Sequence, residues 1–219
     1  LVRPFLLLLL MTENIYWSPM KDLQFYPSIH RYRLSQKWVK YSISQVIDTR
    51  NQKTKEAHER TRSEWEPRGN HVHACLEAFL LKQKPLDPGN YKDWVDPLLS
   101  YDFWNRWEAV ACEHRMVDLT FPGGIAGSAD CVLRHKESGN YALADLKTLS
   151  ASGRKRDISS QLGGYLSLLK HCHPDIPITK CFAVWSKPNQ TFTSSYKTHD
   201  CIAEYEKKRE AFFANQPQI

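Results

Sequence analysis

The sequence predicts an α/β protein organised around one mixed sheet, and three observations point there. Four apolar runs between residues 110 and 185, punctuated by Gly, Pro, Ser and Asn, read as strands. A helical apolar pattern precedes the first three of them. A second helical pattern separates the third from the fourth, so the last strand returns over a helical crossover. The proportions are those of a globular chain: 219 residues, 42% hydrophobic and 25% charged, which excludes a disordered or fibrous protein and leaves ample length for a core.

Taken in order, residues 1–10 hold Arg3 and then Phe5 followed by five leucines. The run imitates a signal peptide, but no small-residue cleavage site follows, and a membrane span needs about twenty apolar residues. The segment is expected to be an extension that precedes a single domain over 11–219, with no membrane attachment. Residues 11–66 are expected to decorate a core over 67–188. Within them, 29–34 and 38–43 alternate at period two around Ser35-Gln36-Lys37 and read as a hairpin. Ser42 or Ser44 could cap a helix running through Val46 and Ile47 into the charged stretch 51–62.

Pro67 suits a helix start, and Val72, Cys75, Leu76, Phe79 and Leu80 recur at helical spacing up to about Lys84. Pro85 and Asp87-Pro-Gly-Asn90 end that helix. Strands follow over 110–117, over 125–133 after the Pro122-Gly-Gly124 turn, and over 141–147 after Glu137-Ser-Gly-Asn140. A basic loop, 152–156, leads into a helix over 157–169, and 180–185 is the fourth strand. A last amphipathic helix in 189–219 takes Asp200 as N-cap and turns Ile202, Tyr205, Phe212 and Phe213 inward. From residue 67 the order is therefore αβββαβ.

Thirty basic against 24 acidic residues give a net charge of +6, compatible with a polyanionic partner but common among proteins. Six cysteines, at 75, 112, 131, 172, 181 and 201, form no C-x-x-C pair. That argues against a zinc finger or a secreted disulfide scaffold and suits the reduced thiols of a cytoplasm.

Chemistry concentrates on the third strand. In Asp145-Leu-Lys147 the two charged side chains emerge on one face. By itself the motif carries nothing: about two acidic-x-Lys triplets arise by chance at this composition, and the second copy, Glu206-Lys-Lys208, sits on the polar side of the last helix. Context adds weight. The preceding strand carries Asp130 among Ile125, Ala126, Val132 and Leu133, and a hairpin would set it beside Asp145. Carboxylates in such company are costly unless paired or bound to a cation, so a metal site and a plain Asp130–Lys147 salt bridge both stand. His73 and Glu77, four apart on the first helix, share a face beside the apolar stripe. Gln161 and Tyr165 repeat that spacing, with Gly163-Gly164 between them. Glycines inside a helix cost up to ~1 kcal/mol each and suit a close approach to the sheet or to a ligand backbone.

The set as a whole resembles the PD-(D/E)XK nuclease superfamily, and within it the RecB-type exonuclease branch. The matching pieces are Arg68-Gly-x-x-x-His73-x-x-x-Glu77, Glu113, Gly127-x-x-Asp130, Asp145-Leu-Lys147-Thr148 and Gln161-x-x-x-Tyr165, spread over residues 67–188. The resemblance implies a restriction-endonuclease-like αβββαβ core and a metal-dependent DNA exonuclease of replication, recombination or repair. It implies metal ligation by Asp130, Asp145, the Leu146 carbonyl, His73 and Glu113, with Glu77 behind them. Lys147 would orient or deprotonate the attacking water, and Gln161 and Tyr165 would position Lys147 and the scissile strand. Oxygen ligands suit magnesium, and an imidazole makes manganese acceptable. No iron–sulfur cluster is expected, because Cys172, Cys181 and Cys201 are too widely spread for that branch.

DNA is the expected partner, beside replication or recombination proteins. Arg68, Arg154, Lys155 and Arg156 are expected to hold phosphates. Trp38, Trp65, Trp104, Trp107 and Trp185 offer base-stacking surfaces or core packing. Three other readings stand beside the exonuclease: a structure-specific or restriction-type endonuclease on the same core, an inactive DNA-binding module, and, more remotely, a sugar-phosphate enzyme of another α/β fold. The inactive module sits poorly with Asp130, Asp145 and Lys147 all present, and the last lacks a glycine-rich phosphate loop.

Overall fold

The computed structural model describes Trp17 and residues 20–216; the leader-like residues 1–10 lie outside them. The central sheet is mixed. Strand β5 (Trp107–Asp118) runs antiparallel to β6 (Ile125–His135), and β6 antiparallel to β7 (Tyr141–Thr148). After helix α6 (Ser159–Cys172), β8 (Ile178–Lys187) lies parallel to β7, which makes the helical crossover real. The αβββαβ order is therefore observed, with two helices inserted before the first strand and a strand added after the last.

One addition is β9 (Gln190–Tyr196), antiparallel to β8, which the sequence reading assigned to no strand. Its polar run Gln-Thr-Phe-Thr-Ser-Ser-Tyr lacks the apolar half of a buried pattern, because it closes the sheet as an edge. The other additions are α4 (Lys92–Leu99) and α5 (Phe103–Arg106), in a stretch to which the sequence patterns assign no element.

The N-terminal region departs furthest from expectation. The hairpin exists as β2 (Arg31–Leu34) and β3 (Lys37–Trp38), but β1 (Leu23–Tyr26) adds a third strand on the other side of β2. The second arm stops at Trp38. Residues Tyr41–Ser42 form β4, which leaves the small sheet and pairs parallel with Ile125 and Ala126 of β6. Gly123 and Gly124, at φ 86 and 76, allow this: their carbonyls accept the Lys40 and Tyr41 N–H groups from a backbone that a side chain would strain.

Ser42 is indeed a cap, with Gln45 completing a capping box, but of a four-residue helix α1 (Ile43–Val46). A separate helix α2 (Gln52–Arg60) starts from Asn51, whose side chain accepts the Thr54 N–H. Helix α3 (Arg62–Leu80) begins five residues before Pro67, which lies inside it. Proline there forfeits one bond, to the Ser63 carbonyl, near enough to the helix start for the ring to be accommodated. In α7 (Thr198–Ala214) the cap position falls on Lys197, and Asp200 lies in the first turn, where its charge favours the helix dipole without capping.

Alternation along β7 sorts the core onto two faces. Ala142, Ala144 and Leu146 meet Val72, Leu76, Val95, Leu98 and Phe103 of α3, α4 and α5. Leu143 faces Ile43, Leu162, Leu168 and Trp185 on the α6 and α7 side. The Gly163-Gly164 pair belongs to this second layer: a Cβ on Gly163 would stand 1.9 Å from the Cys201 carbonyl oxygen of α7. The glycines serve helix–helix approach, not a ligand.

Tyr205 of α7 packs in the same contact and is 2% exposed. Burial, with the Asp118 charge adding and Arg209 opposing, pushes its phenol up to about 12. An acid whose folded value is raised contributes stability that is complete below its unfolded value near 10 and is lost as pH rises through 12. Tyr205→Phe is therefore expected to gain on the wild type by about 1 kcal/mol between pH 8 and pH 11, read from urea midpoints. Parallel decline of both proteins would remove Tyr205 as a source of alkaline lability.

Candidate functional site

Strands β6 and β7 pair only over residues 131–134 and 141–144; beyond Asp130 and Asp145 they part. Past that point β7 pairs with β8 alone, and the Leu146 N–H turns back across the gap. There it donates to the Asp130 carboxylate at 2.7 Å. The fork thus fixes one Asp130 oxygen by an amide and leaves the carboxylate facing a cavity of about 600 Å³.

His73 reaches the same fork from α3. Its Nε2 lies 3.1 Å from the Leu146 carbonyl, which can only accept, so Nε2 carries the proton. Nδ1 then faces two carboxylates, Glu113 at 3.5 Å and Asp130 at 3.6 Å. One ligand atom each from His73, Glu113 and Asp130 falls within 4.8 Å of the others, all three side chains being half-buried. Glu113 attains this position at a cost: it lies within β5 with φ +45, a left-handed value uncommon for a non-glycine residue. Ser128 donates to its second oxygen at 3.3 Å.

The electrostatics are those of a site short of positive charge. Burial by itself would lower the His73 value, but Asp130 and Glu113 outweigh it and raise the imidazole to about 9. Burial raises Asp130, to about 7, and Asp145 and Glu113 push the same way against His73 and Lys147. Burial would raise Glu113 as well, yet His73, Ser128 and Arg115 together bring it below the usual range. Burial and then Glu113 raise Glu77, which lines the cavity beside them.

Asp145 stands apart from this triad. It is 1% exposed, and the Lys147 ammonium lies 2.6 Å from its Oδ2, so the salt bridge weighed for Asp130 and Lys147 forms instead within the Asp145-Leu-Lys147 motif. Neither Asp145 oxygen accepts a well-aligned hydrogen bond among the described residues, which leaves a buried carboxylate with Lys147 as its only close cation. Lys147 itself reaches the cavity.

The remaining expected residues divide. Tyr165 lines the cavity, its phenol kept protonated by burial and by Asp145 and Asp130. Gln161 donates to the Tyr165 oxygen at 2.9 Å and not to Lys147. Arg154 and Arg156 line the cavity, whereas Lys155 turns toward Phe192, 5.9 Å from the ring. Arg68 also points elsewhere, its guanidinium over Trp94 at 5.3 Å. Of the tryptophans, 104 and 107 are core, Trp185 is core and borders the cavity from beneath its surface, Trp38 is exposed outside the cavity, and Trp65 lines it.

Several lining residues were given no role by the sequence: Phe25 and Tyr32 from the small sheet, His30 from the turn between β1 and β2, His58 from α2, and Ser128. For the first three no local signal existed, since a sheet docks them from 40 residues away. For Trp65 the spacing was present: Trp65, Gly69, His73 and Glu77 recur every four residues and all line the cavity. A helix started at Pro67 hid it.

No family model and no curated protein matches the chain. Among solved structures, one described as "Crystal structure of SSO0001" superposes with a TM-score of 0.44 at 17% identity, covering 81% of this chain and 76% of that one. Fold and site together define a mixed α/β protein with a candidate metal triad of His73, Glu113 and Asp130. No helix among the described residues is long and apolar enough to cross a membrane.

Proposed function

We propose that the chain is a metal-dependent deoxyribonuclease on a restriction-endonuclease-like core, acting from DNA ends. The observation that carries this reading is the convergence of His73, Glu113 and Asp130 at the fork of β6 and β7, with the Lys147 ammonium on the same cavity.

The donors suit a divalent cation. Two carboxylates and an imidazole gather where positive charge is lacking, and the buried Asp145 nearby has Lys147 as its close cation. His73, Glu113 and Asp130 would hold the ion, with Asp145 and the Leu146 carbonyl adjoining; carboxylate oxygens favour magnesium and the imidazole admits manganese. Bound there, the cation supplies charge neutralisation for a phosphodiester and a more acidic water.

The chain's own groups do the rest. Asp145 holds the Lys147 ammonium at the cavity, where it orients the attacking water and offsets charge growing on the phosphate. Tyr165, fixed by Gln161, presents a phenol that stays protonated and can donate to a phosphate oxygen. Arg154 and Arg156 hold the flanking backbone.

The test is hydrolysis of end-labelled linear and circular single-stranded DNA with magnesium, manganese or EDTA. Linear DNA should be degraded with either metal, circular DNA should persist, and EDTA should stop the reaction. Undiminished cleavage in EDTA would remove the metal mechanism. Rapid nicking of the circle would replace the end-dependent reading with an endonuclease using the same residues.

A further inference from the structure

The cavity has a second end. Helix α3 runs along it, and Trp65 lies eight residues before His73 on the lining stripe, roughly 12 Å away along the axis at 1.5 Å per residue. There the His58 ring stacks on the Trp65 indole with centroids 4.3 Å apart and planes 10° from parallel. The Trp65 Nε1–H donates to the His58 carbonyl at 3.1 Å, which locks the indole and satisfies its one polar group. What the pair offers the cavity is π surface held in place in advance.

The same cavity holds two arginines, Arg154 and Arg156, and neither has an ion-pair partner among the described residues. Arg62 nearby is different: Glu59 and Glu66 neutralise it. Burial, and after it the charges of Arg50 and Arg156, lower the His58 value, so the stacked imidazole is neutral at physiological pH.

Resting on the nuclease reading above, we infer that the His58–Trp65 pair, on the cavity that Arg154 and Arg156 also line, is a base-stacking subsite for single-stranded DNA, remote from the metal ligands. A locked aromatic surface beside unpaired guanidiniums matches a chain that carries a flat ring on a phosphate backbone. A base inside a duplex has both faces covered, so only an unpaired base can use the subsite. The subsite thereby selects single strands or frayed ends, a preference the metal ligands do not supply.

The experiment measures binding of a fluorescent oligothymidylate by anisotropy in EDTA and again in calcium, for the wild type, Trp65→Ala and Trp65→Phe. Trp65→Ala should weaken binding about tenfold, as loss of one base–aromatic stack does, and Trp65→Phe should retain most of the affinity. A set of oligonucleotides with a single abasic position then maps the subsite. At one position the abasic site should weaken wild-type binding about as much, and should cost Trp65→Ala nothing further. Equal affinity of wild type and Trp65→Ala, or an abasic penalty undiminished in Trp65→Ala, overturns the subsite while leaving the nuclease reading in place. A wild type that binds no single strand under either condition overturns the subsite, while hydrolysis with magnesium or manganese decides the nuclease reading separately.

Discussion

Asp145→Asn is expected to reduce DNA hydrolysis by roughly a hundred- to ten-thousandfold, and Lys147→Ala by a similar factor. The two should differ in stability. Lys147 is the close cation of a carboxylate that is 1% exposed, so Lys147→Ala strands a buried charge and should cost about 3 kcal/mol. Asp145→Asn leaves an ammonium that can turn toward the cavity and should cost less. The double variant should therefore recover stability relative to Lys147→Ala without recovering activity. Glu206→Gln, in the chance copy of the motif on an exposed turn of α7, should match the wild type in both. Hydrolysis assays paired with thermal melts decide the matter. Activity restored in the double variant would mean that the pair supports the fold and not the chemistry.

The second large effect is on stability alone. Gly163→Ala is expected to cost about 3 kcal/mol or more, because its Cβ would lie 1.9 Å from a backbone oxygen of α7 and the two helices must separate. For a chain of this length that corresponds to a fall in melting temperature of roughly 10 °C. Gly164→Ala meets the Ile43 Cγ2 methyl at 2.6 Å and its Cδ1 at 2.9 Å and should cost less, since a side chain can give where a backbone cannot. A Gly163→Ala protein that melts with the wild type would mean that the contact between α6 and α7 is looser than described.

Both effects trace to features that the sequence showed without explaining. A glycine pair inside a helical pattern signals close approach, but whether to sheet, ligand or helix depends on what packs there. The answer, the Cys201 carbonyl, lies 38 residues further along the chain. Asp145 and Lys147 were visible as a motif with a chance copy, and only burial separates the two. Trp65 shows the opposite failure. It was legible as a base-stacking candidate, and its four-residue spacing to Gly69, His73 and Glu77 was present. A proline taken as a helix start hid its place on that helix face.

The sequence by itself determined the αβββαβ order from residue 67 onward, but not α4, α5 or β9. Apolar periodicity, turn glycines and prolines act within a few residues, so they can be read one stretch at a time. It also singled out His73, Glu113, Asp130, Asp145 and Lys147 as candidate site residues. The tertiary structure alone decided how they combine: His73 with Glu113 and Asp130, Lys147 with Asp145, and Asp130 with the Leu146 amide. It alone brought the small N-terminal sheet over the cavity and turned Arg68 away from it. The physical reason is that a side chain's direction follows from local backbone dihedrals and from where neighbouring strands part. Glu113 at φ +45 and the fork after Asp130 are both imposed by partners distant in the chain, through pairings that no local pattern encodes.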